Sequence, residues 1–158
     1  IAGEECHMIT RRTLVRLAAS APLFALASPA LAMTPEIYAE GGIAIDGTDP
    51  VTYFTEGRPV EGSRELTLEW RGATWRFATA GNRSMFEADP ESYAPRYGGW
   101  CAYAVSRGYT ASTVPQAWTI HDGKLYLNFS RPVRALWARD IPGNVERGDM
   151  NWPGVLEG

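Results

Sequence analysis

The thiol of Cys101 and the imidazole of His121 are the side chains whose types could do chemistry in this sequence. Cys101 lies in the stretch YGGWCAYAVSRG, residues 97–108, and His121 precedes an Asp-Gly pair. A thiolate is a soft ligand that suits copper(I) or zinc, and imidazole is a common partner for both metals. Cys101 and His121 are therefore the candidate metal ligands.

Three uses of Cys101 stay open at this point. A free cysteine most often packs as a small apolar residue, and Trp100 and Ala102 give it apolar neighbours. The nearest basic residues in the sequence are Arg96 and Arg107, so no stabilised thiolate is evident. The third use, as a metal ligand, needs further donors, because structural zinc takes four ligands.

Other side chains are candidates to complete such a site. Met85, Met150 and carboxylates such as that of Asp49 are available, although no spacing shows that they converge. Asp49 precedes Pro50, a pattern that also favours a helix N-cap. The simplest alternative for His121 is an exposed position just before a tight turn.

A catalytic use of the thiol would need His121 as a base and Asp122 to orient the imidazole. Neighbouring residues of an extended strand point to opposite faces, so we expect Asp122 to point away from His121. No catalytic residue is assigned on these grounds, and the chain is predicted to be non-catalytic.

Charge and cysteine content narrow the classes of function. Residues 33–158 carry 12 basic and 16 acidic residues, a balance that argues against binding nucleic acid or anionic membranes. Cys101 is the only cysteine in this range, so it has no partner there for an intramolecular disulfide. Cys6 and His7 precede the first methionine and are given no role.

Residues 8–32 have the layout of an export signal. Three arginines precede a weakly apolar run that ends in Ala30-Leu31-Ala32, where small residues suit a signal peptidase. Arg11 and Arg12, followed by Thr13-Leu14, indicate twin-arginine export. We therefore predict an upstream extension at residues 1–7, cleavage after Ala32, a periplasmic location, and a mature domain at 33–158 without a permanent membrane span.

The remaining elements predict a small single α+β domain. Residues 66–78 and 118–127 alternate apolar and polar residues around Arg71-Gly72 and Asp122-Gly123, so each is predicted to be a β-hairpin. The two hairpins are expected to form an antiparallel sheet. Helical spacing and capping residues predict several short helices that pack on it, near residues 50–54, 80–93, 100–105, 130–137 and 145–152.

Several motifs together resemble the YHS domain family. The matching residues are Asp49-Pro50-Val51 and the stretch WRGATWRFATAGNRSMFEADPESY at 70–93, followed by AWTIHDGKLYLNFS and GNVERGDMNWP. The resemblance covers about residues 47–153, nearly the whole predicted mature chain. Within the family, this chain resembles the short exported bacterial members.

The resemblance implies a link to metals. YHS domains occur beside copper-transporting ATPases, and cysteines near the Asp-Pro-Val and Phe-Cys-Ser segments are taken to bind metal there. This sequence has Thr52, Ala78 and Asn82 at the corresponding positions. The family ligand set is therefore not carried over to this chain.

Taken together, the sequence predicts an exported, non-catalytic YHS-type binding module linked to transition-metal handling. Copper is the first expectation and zinc the second, and the expected partner is a metal-handling or membrane-associated protein. Because Thr52, Ala78 and Asn82 stand where the family pattern has cysteines, a second hypothesis stays open: a metal-free protein-interaction or structural module. A thiol-dependent enzyme is the third hypothesis.

Overall fold

A four-stranded mixed sheet lies beside the first of two apolar cores. Its order is β1-β2-β4-β3, and the strands are β1 (Ala39–Glu40), β2 (Ile43–Ala44), β3 (Ser63–Trp70) and β4 (Ala73–Phe77). The pairs β1–β2 and β3–β4 are antiparallel, whereas β2 and β4 run parallel. The computed structural model describes residues 32–158, so the predictions for the upstream extension and the export signal before Ala32 lie outside the described residues.

The second predicted hairpin forms a sheet of its own. Strands β5 (Trp118–His121) and β6 (Lys124–Leu127) pair antiparallel around the turn at Asp122 and Gly123. Both predicted hairpins are therefore confirmed, but they lie in separate sheets and do not join into one. The first hairpin gains the short strands β1 and β2 on the β4 side instead.

Left-handed turn residues explain why both hairpins are tight. Arg71 and Gly72 have φ values of 49° and 77°, and Asp122 and Gly123 have 48° and 70°. Positive φ at both central residues gives the backbone twist that matches two antiparallel strands. The glycine takes this conformation without strain, so the Arg-Gly and Asp-Gly pairs specify the turns.

Residues 32–158 also contain six short α-helices and four 3-10 helices, the latter at Ile45–Gly47, Arg96–Gly99, Ala138–Asp140 and Gly154–Leu156. The α-helices are α1 (Thr52–Thr55), α2 (Ala80–Ala88), α3 (Pro90–Tyr93), α4 (Ala102–Ser106), α5 (Arg131–Trp137) and α6 (Ile141–Asn151). As predicted, Ser130 caps α5 through its hydroxyl, which accepts a hydrogen bond from the Val133 amide at 3.3 Å. Asp140 caps α6 in the same way, at the end of a short 3-10 helix (Ala138–Asp140) that joins α5 to α6.

Strand β6 divides the apolar interior into two cores. Leu125 and Leu127 are buried in the first core, against Trp75 and Phe77 of β4 and Phe86 of α2. Tyr126 points to the other face and packs in the second core with Tyr97 and Trp137. Because successive side chains of a strand point to opposite faces, one buried strand serves both cores.

These elements confirm a small single domain of the α+β class. None of the helices in residues 32–158 is both long enough and apolar enough to cross a bilayer. The observed hairpins and helices thus agree with those predicted from the sequence, except that the two hairpins lie in separate sheets. They place the end of β6 next to the segment that carries Cys101.

Candidate functional site

Cys101 lies where the start of α4 meets the segment that follows β6. It directly precedes α4, and its side chain is buried, with 1% of the residue exposed. Its backbone N–H donates to the carbonyl of Ala111 at 2.9 Å, which closes the loop after α4 over it. The backbone of Cys101 is therefore fixed by the loop that follows α4.

The sulfur is hydrogen bonded to the strand end rather than to another ligand-type side chain. The Phe129 N–H donates to Cys101 Sγ at 3.3 Å, and Cys101 Sγ lies 3.6 Å from Oδ1 of Asn128, to which its S–H can donate. Asn128 is fully buried and its Oδ1 also accepts from the Tyr103 N–H at 3.1 Å. The thiol thus acts as a structural donor and acceptor between α4 and the segment after β6.

His121 lies at the opposite end of the same hairpin. It pairs with Lys124 at the turn, whereas the Cys101 thiol contacts Asn128 and Phe129 beyond the other end of β6. Four residues of extended chain separate Lys124 from Asn128, which corresponds to about 13 Å. The structure does not bring the two candidate ligands together, and this arrangement does not fit one metal bound by both.

The expected orientation of Asp122 is wrong. His121 Nε2 lies 3.4 Å from Oδ2 of Asp122, although the two residues are neighbours in sequence. Strand alternation does not apply here because Asp122 is not extended: its φ of 48° places it in the turn. Asp122 is largely exposed, and the described structure places no thiol near this pair.

Asp49 is the most completely bonded of the candidate side chains. It is fully buried, and its Oδ1 accepts from the Val51 N–H at 2.9 Å. The predicted N-cap at Asp49 is wrong, because α1 begins at Thr52 with Val51 at its N-cap, and the Asp49 contact lies in the turn before the helix. Oδ2 of Asp49 accepts from the Ala78 N–H at 2.8 Å and from Nδ2 of Asn82 at 2.7 Å. Charge-assisted bonds of this kind occupy both carboxylate oxygens.

The three positions that differ from the YHS pattern all meet Asp49. The Thr52 hydroxyl donates to the Asp49 carbonyl oxygen at 2.8 Å, while Ala78 and Asn82 donate to its carboxylate. Asn82 is positioned by the first turn of α2, where the Thr79 hydroxyl accepts from its N–H. A carboxylate, a hydroxyl and an amide therefore form a closed hydrogen-bonded cluster that joins α1, β4 and α2.

The remaining proposed companions lie on exposed surfaces. Met85 on α2 is 39% exposed and Met150 on α6 is 72% exposed. Within residues 32–158, no group of three or more histidine, cysteine, aspartate or glutamate side chains is arranged to hold a metal ion. Cys101 and His121 as metal ligands stay a prediction.

An apolar cavity opens from Cys101 to the surface. Its volume is about 270 Å³, and its walls come from Tyr103, Ala104, Tyr109, Ala111, Phe129 and Val133. Cys101 and Ala104 are 1% exposed and form the inner end, whereas Tyr109 and Phe129 are 53% and 51% exposed and form the outer edge. This cavity includes Cys101, one of the two candidate ligands named from the sequence.

Sequence reasoning missed the residues that surround the thiol. Asn128 and Phe129 follow the alternating stretch of β6, and nothing in their types distinguished them from a loop. A signal was present in the asparagine, because a polar residue directly after the apolar run Leu125-Tyr126-Leu127 needs hydrogen-bond partners if it is buried. In the described residues Oδ1 of Asn128 has such partners, whereas its Nδ2 has none. Tyr109, exposed in a glycine-containing loop, carried no such signal.

Comparisons with models of known protein families, with curated proteins and with solved structures find no match to this chain. The resemblance to the YHS family therefore stays a prediction that rests on the motifs themselves.

Proposed function

We propose that this chain is an exported, non-catalytic binding module of the YHS type that works without a bound metal. The observation that carries the proposal is the cluster around Asp49. At the three positions where the resemblance implies cysteine ligands, the Thr52 hydroxyl donates to the backbone carbonyl of Asp49, and the Ala78 N–H and the Asn82 side-chain amide donate to its carboxylate. A carboxylate whose oxygens already accept such bonds has little free capacity to coordinate a metal.

The environment of Cys101 supports the same proposal. Its sulfur accepts one hydrogen bond and contacts a second polar atom, both from the segment after β6. A metal ligand of this type would have to give up these contacts and recruit donors from elsewhere. These contacts favour a structural role for the thiol. We therefore propose that the module binds its partner through the surface around Cys101 and not through the sulfur itself.

The metal-handling version of the module remains testable on the same protein. Reduced, metal-free protein is titrated anaerobically with copper(I) and with zinc against a coloured chelator. We expect the native chain, Cys101→Ser and His121→Gln to give the same weak competition curves. A tight site in the native chain that is lost in Cys101→Ser would refute the metal-free proposal in favour of metal handling.

A further inference from the structure

We propose that the cavity beside Cys101 binds the hydrocarbon chain of an aliphatic monocarboxylate, with the carboxylate held at the cavity rim by Arg107. The inference rests on the proposed binding function and names the class of ligand. It is carried by three observations: the apolar lining of the cavity, the distribution of charge around it, and the exposure of the aromatic side chains at its mouth.

The lining of the cavity suits a hydrocarbon. No charged residue lines it, and its inner end consists of the small side chains of Cys101 and Ala104. An apolar cavity of about 150 Å³ holds one benzene molecule, so about 270 Å³ has room for roughly ten carbon atoms. A chain of eight to ten carbons is therefore about the right size.

Charge is strongly segregated along the chain, and the cavity lies in the basic part. Residues 33–91 carry five basic and eleven acidic residues, whereas residues 92–139 carry six basic residues and a single acidic one, Asp122. The two segments that supply the walls, 101–111 and 129–133, contain Arg107 and Arg131 and no carboxylate. Helix α6, which packs against α4, carries Glu146 and Asp149, but no carboxylate lines the cavity itself. An anionic head group at this rim would therefore have Arg107 and Arg131 as the charged groups of the wall segments.

Arg107 is joined directly to a wall of the cavity. Its guanidinium carbon lies 4.9 Å from the centre of the Tyr103 ring, and Nη2 donates to the Tyr103 hydroxyl at 3.1 Å. In residues 32–158, neither Arg107 nor Arg131 has a carboxylate partner, whereas Arg71 and Arg96 do. Because Arg107 is exposed, most of its five donors remain free for a carboxylate.

The outer edge shows what the ligand would cover. Tyr109 and Phe129 leave half of their surface in water although both touch the cavity. Large apolar side chains that face one cavity are typical of a binding site rather than of scattered surface residues. A bound alkyl chain would remove part of that surface from water.

The first test is a series of ligands titrated into the native protein by calorimetry. Hexanoate, octanoate and decanoate are expected to bind with increasing affinity, by about threefold to fourfold per methylene. The gain should stop once the chain exceeds the cavity. Backbone amide shifts measured by NMR should concentrate at Ala104, Ala111 and Phe129. Absence of binding, or a shift pattern spread over the whole surface, would refute the proposal.

The second test uses matched variants. Ala111→Phe fills the cavity and should weaken octanoate binding at least tenfold, whereas Ala135→Phe, on the exposed side of α5, should not change it. Arg107→Gln should weaken octanoate about twofold to fivefold and leave 1-octanol unchanged, and Arg139→Gln serves as its control. Equal binding of octanoate and 1-octanol by the native chain would overturn the role of Arg107.

Self-association is the alternative that the test must separate. Sedimentation velocity of the native chain is expected to show a monomer, and Phe129→Ser should leave that state unchanged. A dimer that dissociates in Phe129→Ser but not in Leu136→Ser would show that this face binds a second copy, and would overturn the ligand proposal. If the protein binds neither octanoate nor a metal, the ligand proposal is refuted and the proposed metal-free function is not. If the protein has a tight metal site, the proposed function itself is refuted.

Discussion

At the scale of single residues, Cys101 acts through its hydrogen bonds rather than as an exposed nucleophile. The apolar surroundings predicted for Cys101 agree with the structure, since Cys101 and its neighbour Ala102 are both buried. The contacts to Asn128 and Phe129 could not be predicted, because they come from a segment more than twenty-five positions later in the chain. Long-range contacts of this kind depend on how the strands pair, which a local pattern does not encode.

The role of the sulfur predicts an order of stability among its variants. Cys101→Ala leaves the Phe129 N–H without its acceptor and opens a small gap, so it should lower the free energy of unfolding by about 1–3 kcal/mol. Cys101→Ser keeps a donor and an acceptor and should lose less than the alanine variant. Urea unfolding measures both values. A serine variant less stable than the alanine variant would show that the sulfur stabilises by packing alone.

Asp49 is expected to contribute more to stability than any other carboxylate in the described chain. Asp49→Ala leaves the N–H groups of Val51 and Ala78 and the side chain of Asn82 without their acceptor, so the loss should be about 3–5 kcal/mol. A double-mutant cycle with Asn82→Ala should give a coupling energy of about 1–3 kcal/mol.

The matched control for this carboxylate is Asp89→Ala. Asp89 also accepts a hydrogen bond from a nearby side chain, that of Ser92, but it is exposed to solvent. Its replacement should cost less than about 1 kcal/mol. Additive effects of Asp49→Ala and Asn82→Ala would contradict the account of a closed cluster.

At the scale of elements, turn and cap residues predicted the structure best. The Asp122-Gly123 and Ser130-Arg131-Pro132 patterns located a hairpin and a helix start correctly, because these conformations are fixed by neighbouring residues. The parallel pairing of β2 with β4 was not predictable in this way. It joins two short segments whose contact depends on the packing of both against the first core.

The loop before α4 requires glycine for two reasons, left-handed backbone conformations and a close approach to another segment. Tyr97, Gly98 and Gly99 have φ values of 57°, 62° and 87°, a run of three left-handed residues. A Cβ on Gly98 would lie 1.8 Å from the carbonyl oxygen of Glu36. The glycines before Cys101 thus allow close approach of two backbones, and they lie away from the sulfur contacts.

Two glycine substitutions separate steric contact from backbone strain. Gly98→Ala combines a left-handed conformation with the clash at Glu36, whereas Gly108→Ala has the same kind of φ, 89°, and open space around it. Gly108→Ala should cost about 1–2 kcal/mol. Gly98→Ala should cost at least about 2 kcal/mol more or prevent folding. Equal losses in thermal or urea unfolding would contradict the close approach of the two backbones.

At the scale of the whole molecule, buried tyrosines should make the domain sensitive to alkali. Burial and the nearby Asp46 raise the pKa of Tyr38 to about 12, from about 10 in an unfolded chain. Burial, with the charge of Asp149, also raises the pKa of Tyr97, and burial raises those of Tyr53 and Tyr126. A tyrosine whose pKa is raised by folding resists ionisation in the folded state.

The sign of the pH dependence follows from these directions. The contribution of each tyrosine is fully present below pH 10 and is lost as the pH rises through its folded pKa, which for Tyr38 means between about pH 10 and 12. The free energy of unfolding should therefore fall steadily above pH 10, together with delayed tyrosinate absorbance. Constant stability from pH 9.5 to 11.5, with all tyrosines ionising near pH 10, would contradict the buried environments.

The most direct test of the central claim is the metal content of the protein as the cell makes it. The chain is exported through its own signal, purified anaerobically without chelators, and analysed for copper and zinc by elemental analysis. We expect well below one metal ion per chain, with the same value for Cys101→Ser. One equivalent of copper or zinc in the native protein, absent from Cys101→Ser, would contradict it.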